Sequence, residues 1–210
     1  MFNKINSFYK KINKTVSSNR RIFIVIILMS ILGLIAAFVL SVEAWQLAKD
    51  PNAIFECSVN VVVNCGTVAK SSYATIFGFP NAFVGMITEP IFVLLGVLLL
   101  IGVKLPRKFM FVVEILAGAA LLFAYYLFYI STALIGALCP WCMLVMLSTT
   151  IMFFAITKYN IRENNLYLSK KISIKFNNFI KKDYDKLLLA LIILLVAVII
   201  VMKYGSGLFA

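Results

Sequence analysis

Five long apolar runs punctuate the chain, at residues 22–40, 82–103, 109–130, 140–157 and 187–202, and charged or polar residues bound each of them. A helix rises about 1.5 Å per residue, so about 20 residues cross a hydrocarbon core about 30 Å thick. None of the runs alternates apolar with polar positions as a barrel strand does, and a backbone in lipid must satisfy its own hydrogen bonds. Each run is therefore predicted to be a transmembrane helix. The expected fold class is an all-α integral membrane protein: a four-helix transmembrane bundle plus a fifth transmembrane helix. A secretory signal peptide competes for the first run. That run exceeds a signal core of about 7 to 15 residues, and Ser41-Val42-Glu43-Ala44-Trp45 is a poor small-residue cleavage site.

Charge sets the topology. Of the 20 Lys and Arg residues, six precede the first run, three fall at 104–108 and eight at 158–186, so 17 occupy alternate segments. The positive-inside rule places those segments in the cytoplasm, with the N-terminus inside and the C-terminus outside. The expected organisation is a basic cytoplasmic N-terminus (1–21), a core of four spans (22–157) with an outer loop (42–81), a basic cytoplasmic loop (158–186), a fifth helix (187–203) and an outer tail (204–210). In the outer loop, Asp50-Pro51-Asn52 and Asn64-Cys65-Gly66 are turn signals. Residues 67–77 are expected to form a short interfacial helix, and Gly78-Phe79-Pro80-Asn81 breaks the chain before the second span. The loop 158–186, rich in lysine and aromatics, reads as a solvated tether facing lipid headgroups.

Composition agrees. At 63% hydrophobic the chain lies far above the roughly 45–50% of soluble domains, and a lipid bilayer is its expected surrounding. The net charge of +12 is dispersed between spans and forms no single basic face, so no nucleic-acid partner is expected. Histidine is absent, which removes the commonest general base and the commonest zinc ligand. Cysteine is left as the reactive side chain.

All four cysteines, Cys57, Cys65, Cys139 and Cys142, fall on the outer side of this topology, where disulfides persist. Spacing alone leaves three pairings open. Cys139-Pro140-Trp141-Cys142 opens the fourth span, with proline in a first-turn position. The partially positive end of that helix favours the thiolate, the attacking form in disulfide exchange. An all-cysteine zinc site is disfavoured, because seven residues separate Cys57 from Cys65 and the other pair begins a membrane helix. No metal is expected. A purely structural disulfide clamp, in a non-enzymatic membrane assembly protein, is the alternative from another class.

The order of Cys57 and Cys65, then Cys65-Gly66-Thr67-Val68, Ser71-Ser72, Phe77-Gly78-Phe79-Pro80-Asn81 and finally Cys139-Pro140-Trp141-Cys142 at the head of a span resembles the vitamin K epoxide reductase family and its bacterial homologues. The resemblance covers roughly residues 22–157. It implies a redox-active center of two cysteine pairs in a membrane oxidoreductase that supports disulfide bond formation. Cys57 and Cys65 would form the shuttle pair that takes electrons from a partner's dithiol. They would pass them to Cys139, through a transient Cys65–Cys139 disulfide, and Cys142 would meet the quinone. Exchange requires a mobile loop, to which Asn60, Asn64 and Gly66 are suited. The implied acceptor is a membrane quinone, ubiquinone or menaquinone, and the implied location is the bacterial cytoplasmic membrane. Some family members carry a thioredoxin-like domain after a fifth span. Here only residues 203–210 follow it, so the expected partner is a separate thioredoxin-fold (DsbA-like) dithiol protein. The same chemistry run as quinone or vitamin K epoxide reduction, with thiols as donor, is the alternative within the family.

A quinone pocket is expected to be mostly apolar with a few placed donors. Asn81, at the mouth of the second span, matches the position where the family offers an amide to a quinone carbonyl, with helix capping as its competing role. Phe79, Phe83 and Trp141 are candidates to line the pocket, with packing as theirs. Where the family's vertebrate branch has a tyrosine four residues after the CxxC, Met146 stands here and cannot donate a second hydrogen bond. Glu89 and Glu114 lie inside spans, where a charge is costly. Glu89 is a candidate proton relay or a protonated spacer, and Glu114 is near enough to the cytoplasmic end to snorkel. Tyr125, Tyr126 and Tyr129 read as an interfacial belt.

Overall fold

The computed structural model describes residues 2–208, and the side chains of residues 16–205. Among the described residues, seven α-helices follow one another: α1 (Phe2–Lys49), α2 (Cys65–Ala69), α3 (Ala82–Leu100), α4 (Arg107–Tyr129), α5 (Pro140–Arg162), α6 (Lys170–Lys181) and α7 (Tyr184–Leu208). Five of them, α1, α3, α4, α5 and α7, are long and apolar enough to cross a membrane. Among the described residues there is no strand, only an isolated parallel bridge between Val63 and Leu138. The all-α membrane bundle read from the apolar runs is the observed architecture.

α1 is the central element and packs along both α3 and α5, while α5 also packs along α4. Close approach of α1 and α3 depends on small residues: a Cβ on Gly85 would come within 2.8 Å of Ala37 Cβ, and one on Gly96 within 2.6 Å of Ile27 Cγ1. In lipid, where apolar surface gains little by leaving the solvent, such approach supplies the van der Waals contact that associates helices. α7 stands apart and touches only α5 and α6 extensively. It is tied on by the Lys158–Asp185 ion pair at one end, and by Lys203 and Tyr204 bonding the Thr132 carbonyl at the other.

The two ends of the bundle differ. At the end carrying the N-termini of α4 and α7, Phe23, Ile26, Leu99, Met110, Met152 and Ile156 interlock in a dry core, with the Phe23 and Tyr159 rings edge to face at 5.1 Å. Glu114 does not snorkel there. Thr157 Oγ1 donates to its Oε1 at 2.6 Å and Asn160 Nδ2 to its Oε2 at 2.7 Å, which satisfies the carboxylate between α4 and α5. At the other end the helices diverge around a cavity.

Three local expectations change. α1 runs beyond residue 40 to Lys49, because nothing breaks it until Asp50 precedes Pro51. The interfacial helix expected at 67–77 is divided into α2 and a 3₁₀ turn, Ser72–Thr75. Within 158–186 the chain is not a plain tether: α5 continues to Arg162, and α6 exposes Ile172, Phe176 and Phe179 at helical spacing among lysines, the pattern of an interfacial helix.

Candidate functional site

The loop between α1 and α3 is pinned in two places. Asn60 Oδ1 accepts from the amides of Val62 and Val63 (3.0 and 2.7 Å), which turns the chain back on itself. Val62 O and Asn64 N then pair with Leu138 N and O at 2.7 and 2.9 Å. Asn64 Oδ1 caps α2 by accepting from Thr67 N at 2.9 Å, and Ser58 Oγ bonds the same oxygen at 3.1 Å. Asn64 builds the turn expected at Asn64-Cys65-Gly66, and Asn60 builds a second one. The result fixes Cys65, the first residue of α2, beside the residue that precedes Cys139.

A second set of features aims the CxxC. α4 ends in a π-helical turn, Ile130–Ile135, closed by Gly136 at φ 76° and by Ser131 Oγ donating to Ala137 O at 2.5 Å. Cys139 is the N-cap of α5, with Pro140 at the first turn, and its Sγ accepts from Cys142 N at 3.4 Å. The hydrogen bond from the Cys142 side chain holds the Cys139 thiol below the ordinary thiol range. Burial, and any charge carried by Glu43, push the other way, and the Cys142 and Trp141 amides add to the lowering. This is the environment of a nucleophilic cysteine.

Cys57 and Cys65 form a disulfide, with their Cα atoms 5.7 Å apart, whereas Cys139 and Cys142 are free thiols. Cys65 and Cys139 are each only 1% exposed and share one cluster with Phe55, against which Cys57, Trp141 and Cys142 also pack. Cys57 is half-buried and so is the more accessible sulfur of the loop pair. All four cysteines are thus gathered at one end of the bundle. Glu43, on the continuation of α1, places Oε1 3.0 Å from Cys57 Sγ.

Beneath the cysteines lies a cavity of about 500 Å³. Its walls come from α1 (Ala37, Leu40), α3 (Val84, Gly85), α4 (Phe128) and α5 (Met146), and Cys65, Cys139 and Cys142 open onto it. Asn81 lines its mouth. Its amide does not cap α3: Nδ2 donates to Tyr73 O at 2.7 Å and Oδ1 accepts from Ile76 N at 3.2 Å, so one amide hydrogen is committed to holding the preceding turn. Glu89 lines the cavity from α3, buried, with Oε2 unpartnered. Its Oε1 lies where a Cβ on Gly33 would stand, 2.6 Å away.

Phe79, Phe83 and Trp141 do not line the cavity. Phe79 stacks between Phe77 and Phe83 on an exposed outer face (5.9 and 6.4 Å), and Trp141 packs beside the cysteine cluster. The aromatic walls are instead Tyr73 of the 3₁₀ turn and Phe123 and Phe128 of α4, the last two of which no local pattern distinguishes from the other phenylalanines. Tyr126 and Tyr129 are exposed as a belt would be, whereas Tyr125 turns inward and its hydroxyl meets Thr150 Oγ1 at 3.3 Å.

Fold and site together define a class: a multi-pass helical membrane protein whose four cysteines gather at one end of the bundle, three of them opening onto an apolar cavity. The chain belongs to the vitamin K epoxide reductase family, whose family model matches residues 24–157, from α1 through α5. Membership brings with it the oxidoreductase character of a quinone-linked thiol family. No curated protein is matched by the chain.

Proposed function

We propose that this protein regenerates disulfides in a thioredoxin-fold (DsbA-like) dithiol protein outside the cytoplasm and delivers the electrons to a membrane quinone, ubiquinone or menaquinone. Residues 22–157 are the catalytic core in this reading. The charge pattern supports a bacterial cytoplasmic membrane location with the cysteine end outside. One observation carries the proposal: the loop disulfide and the CxxC share a single buried cluster at the end of an apolar cavity.

The cavity suits a quinone headgroup, since its volume is within the roughly 300–1,000 Å³ of small-molecule sites and its walls are mostly apolar with a few polar groups. A bound quinone supplies the two-electron acceptor. The chain's own residues do the rest. Half-buried Cys57 receives the partner's thiolate, Cys65 passes the reducing equivalents to Cys139 within the cluster, and Cys142 presents them to the cavity. Asn81 has one amide hydrogen uncommitted and is positioned to orient an acceptor carbonyl.

Purified protein mixed with a reduced thioredoxin-fold dithiol protein and a quinone tests this by the change in quinone absorbance. Wild type turns over and Cys142→Ser does not. Full activity in Cys142→Ser would sink the proposal.

A further inference from the structure

Glu43 is 8% exposed, and its Oε2 is buried with no hydrogen-bond partner. Its Oε1 touches Cys57 Sγ at 3.0 Å. A disulfide sulfur carries no hydrogen, so in this redox state Cys57 cannot donate across the contact, and the hydrogen available to it is a carboxyl O–H on Glu43. Once the disulfide is reduced, the Cys57 thiol can donate to the carboxylate across the same distance. The pair therefore holds one proton in either of two places. A carboxyl buried this deeply without a cationic partner also costs stability, which ordinary packing does not explain.

We propose that Glu43 is the acid–base residue of the loop disulfide: it gives its proton to Cys57 when that sulfur is released from the partner after the Cys57–Cys65 bond has opened, and takes it back as Cys57 attacks to close the bond. This rests on the thiol relay proposed above. In the opening step a partner thiolate bonds to Cys57 sulfur, the Cys57–Cys65 bond breaks, and Cys65 leaves as a thiolate. The partner's second thiolate then closes the partner's own disulfide and displaces Cys57, which takes the Glu43 proton. The partner has lost two electrons and the loop pair has gained them. In the closing step Cys65 bonds to Cys139, breaking a Cys139–Cys142 disulfide with Cys142 leaving as a thiolate. Cys57 returns its proton to the Glu43 carboxylate and attacks Cys65. The loop disulfide re-forms, Cys139 is released as a thiolate, and both electrons rest on Cys139 and Cys142. The observed state, a closed loop disulfide above two free thiols, is the end of that sequence.

The titratable groups facing Glu43 are Cys57 and Cys65 from the loop and Cys139 and Cys142 at the start of α5, while Glu89 of α3 lines the cavity onto which Cys65, Cys139 and Cys142 open. On its own helix, Lys49 is turned onto the Trp45 ring at 4.8 Å. A proton on Glu43 is accordingly exchanged with sulfur.

The test is reduction of the loop disulfide by dithiothreitol in the full-length protein, followed by thiol alkylation and mass shift across a pH series. Glu43→Gln should form the disulfide in the same yield yet release the free Cys57 thiol from its mixed disulfide with dithiothreitol about 10²-fold more slowly, with the ionisation of the carboxyl gone from the pH profile. Glu43→Asp should recover part of both. A Glu43→Gln protein with wild-type rate and profile overturns the inference. So does a Glu43→Asp protein as slow as Glu43→Gln with the profile unchanged in shape, which marks a packing role. Because this assay needs neither quinone nor protein partner, wild type that fails to reduce quinone refutes the proposed function while leaving the Glu43 comparison decisive.

Discussion

The two ends of this bundle are made from the same four helices and do opposite things with them. Where α4 begins and α5 ends, Phe23, Met110 and Ile156 fill the space, and the acids there are bonded: half-buried Glu114 by two donors and Asp185, through one oxygen, by Lys158. At the cysteine end, alanines and glycines on α1 and α3 leave a cavity, and both Glu43 and Glu89 keep an oxygen with no partner. Satisfied polar groups and tight packing hold the helices in register. Unsatisfied ones at an open apolar site are the mark of chemistry, because a group already bonded on every side has no capacity left for a proton or a ligand.

The largest effect expected from breaking this contrast is at Cys65. Cys65→Ala removes the sulfur that lies in the Cys139 cluster, so quinone reduction by a dithiol protein should fall to background, and loss of the Cys57–Cys65 disulfide should also cost about 2 kcal/mol of stability. Retention of turnover would show that Cys57 reaches Cys139 directly. The packed end should respond in the opposite sense. Phe23→Ala deletes a fully buried ring and should cost about 3 kcal/mol of stability, read as a lower melting midpoint in detergent, with activity per folded molecule unchanged. A smaller loss is expected from Asn160→Ala. It strips one of the two donors from Glu114 and should cost about 1–3 kcal/mol, again without changing the Michaelis constant for quinone.

Much of this division was readable before any coordinates. Apolar length alone located five spans, because a bilayer imposes one length on every helix that crosses it. The cysteines declared themselves by spacing and by their common side. Glu43 did not, since the apolar run ends at residue 40 and a charge just past it reads as solvent-exposed. Only the helix carrying on to Lys49 turns residues 37, 40, 44 and 47 toward one cavity and Glu43 toward Cys57. The pocket aromatics were illegible for another reason. Which of 18 phenylalanines faces inward depends on how each helix is rotated and how each loop bends: Phe83 of α3 and Phe79 in the bend before it both ended on the outer face.

Gly33 offers the smallest and sharpest test, because it sits where the packed helix α1 meets the unpartnered Glu89. A Cβ there would come within 2.6 Å of Glu89 Oε1 and 2.8 Å of its Cδ, and 3.1 Å from Ser148 Oγ. Glu89 is hemmed in by α1 and cannot retreat without moving into the cavity, so Gly33→Ala should destabilise by about 1–2 kcal/mol. Shortening the acid removes the obstacle. In a Glu89→Ala background the same Gly33→Ala change should cost close to nothing, so the two substitutions are strongly non-additive in a thermal-melt cycle. If they simply add, Glu89 does not occupy the notch that Gly33 provides. Its unpartnered oxygen would then be a feature of a mobile side chain, and the contrast between a filled end and an open end would rest on the cysteines and Glu43 alone.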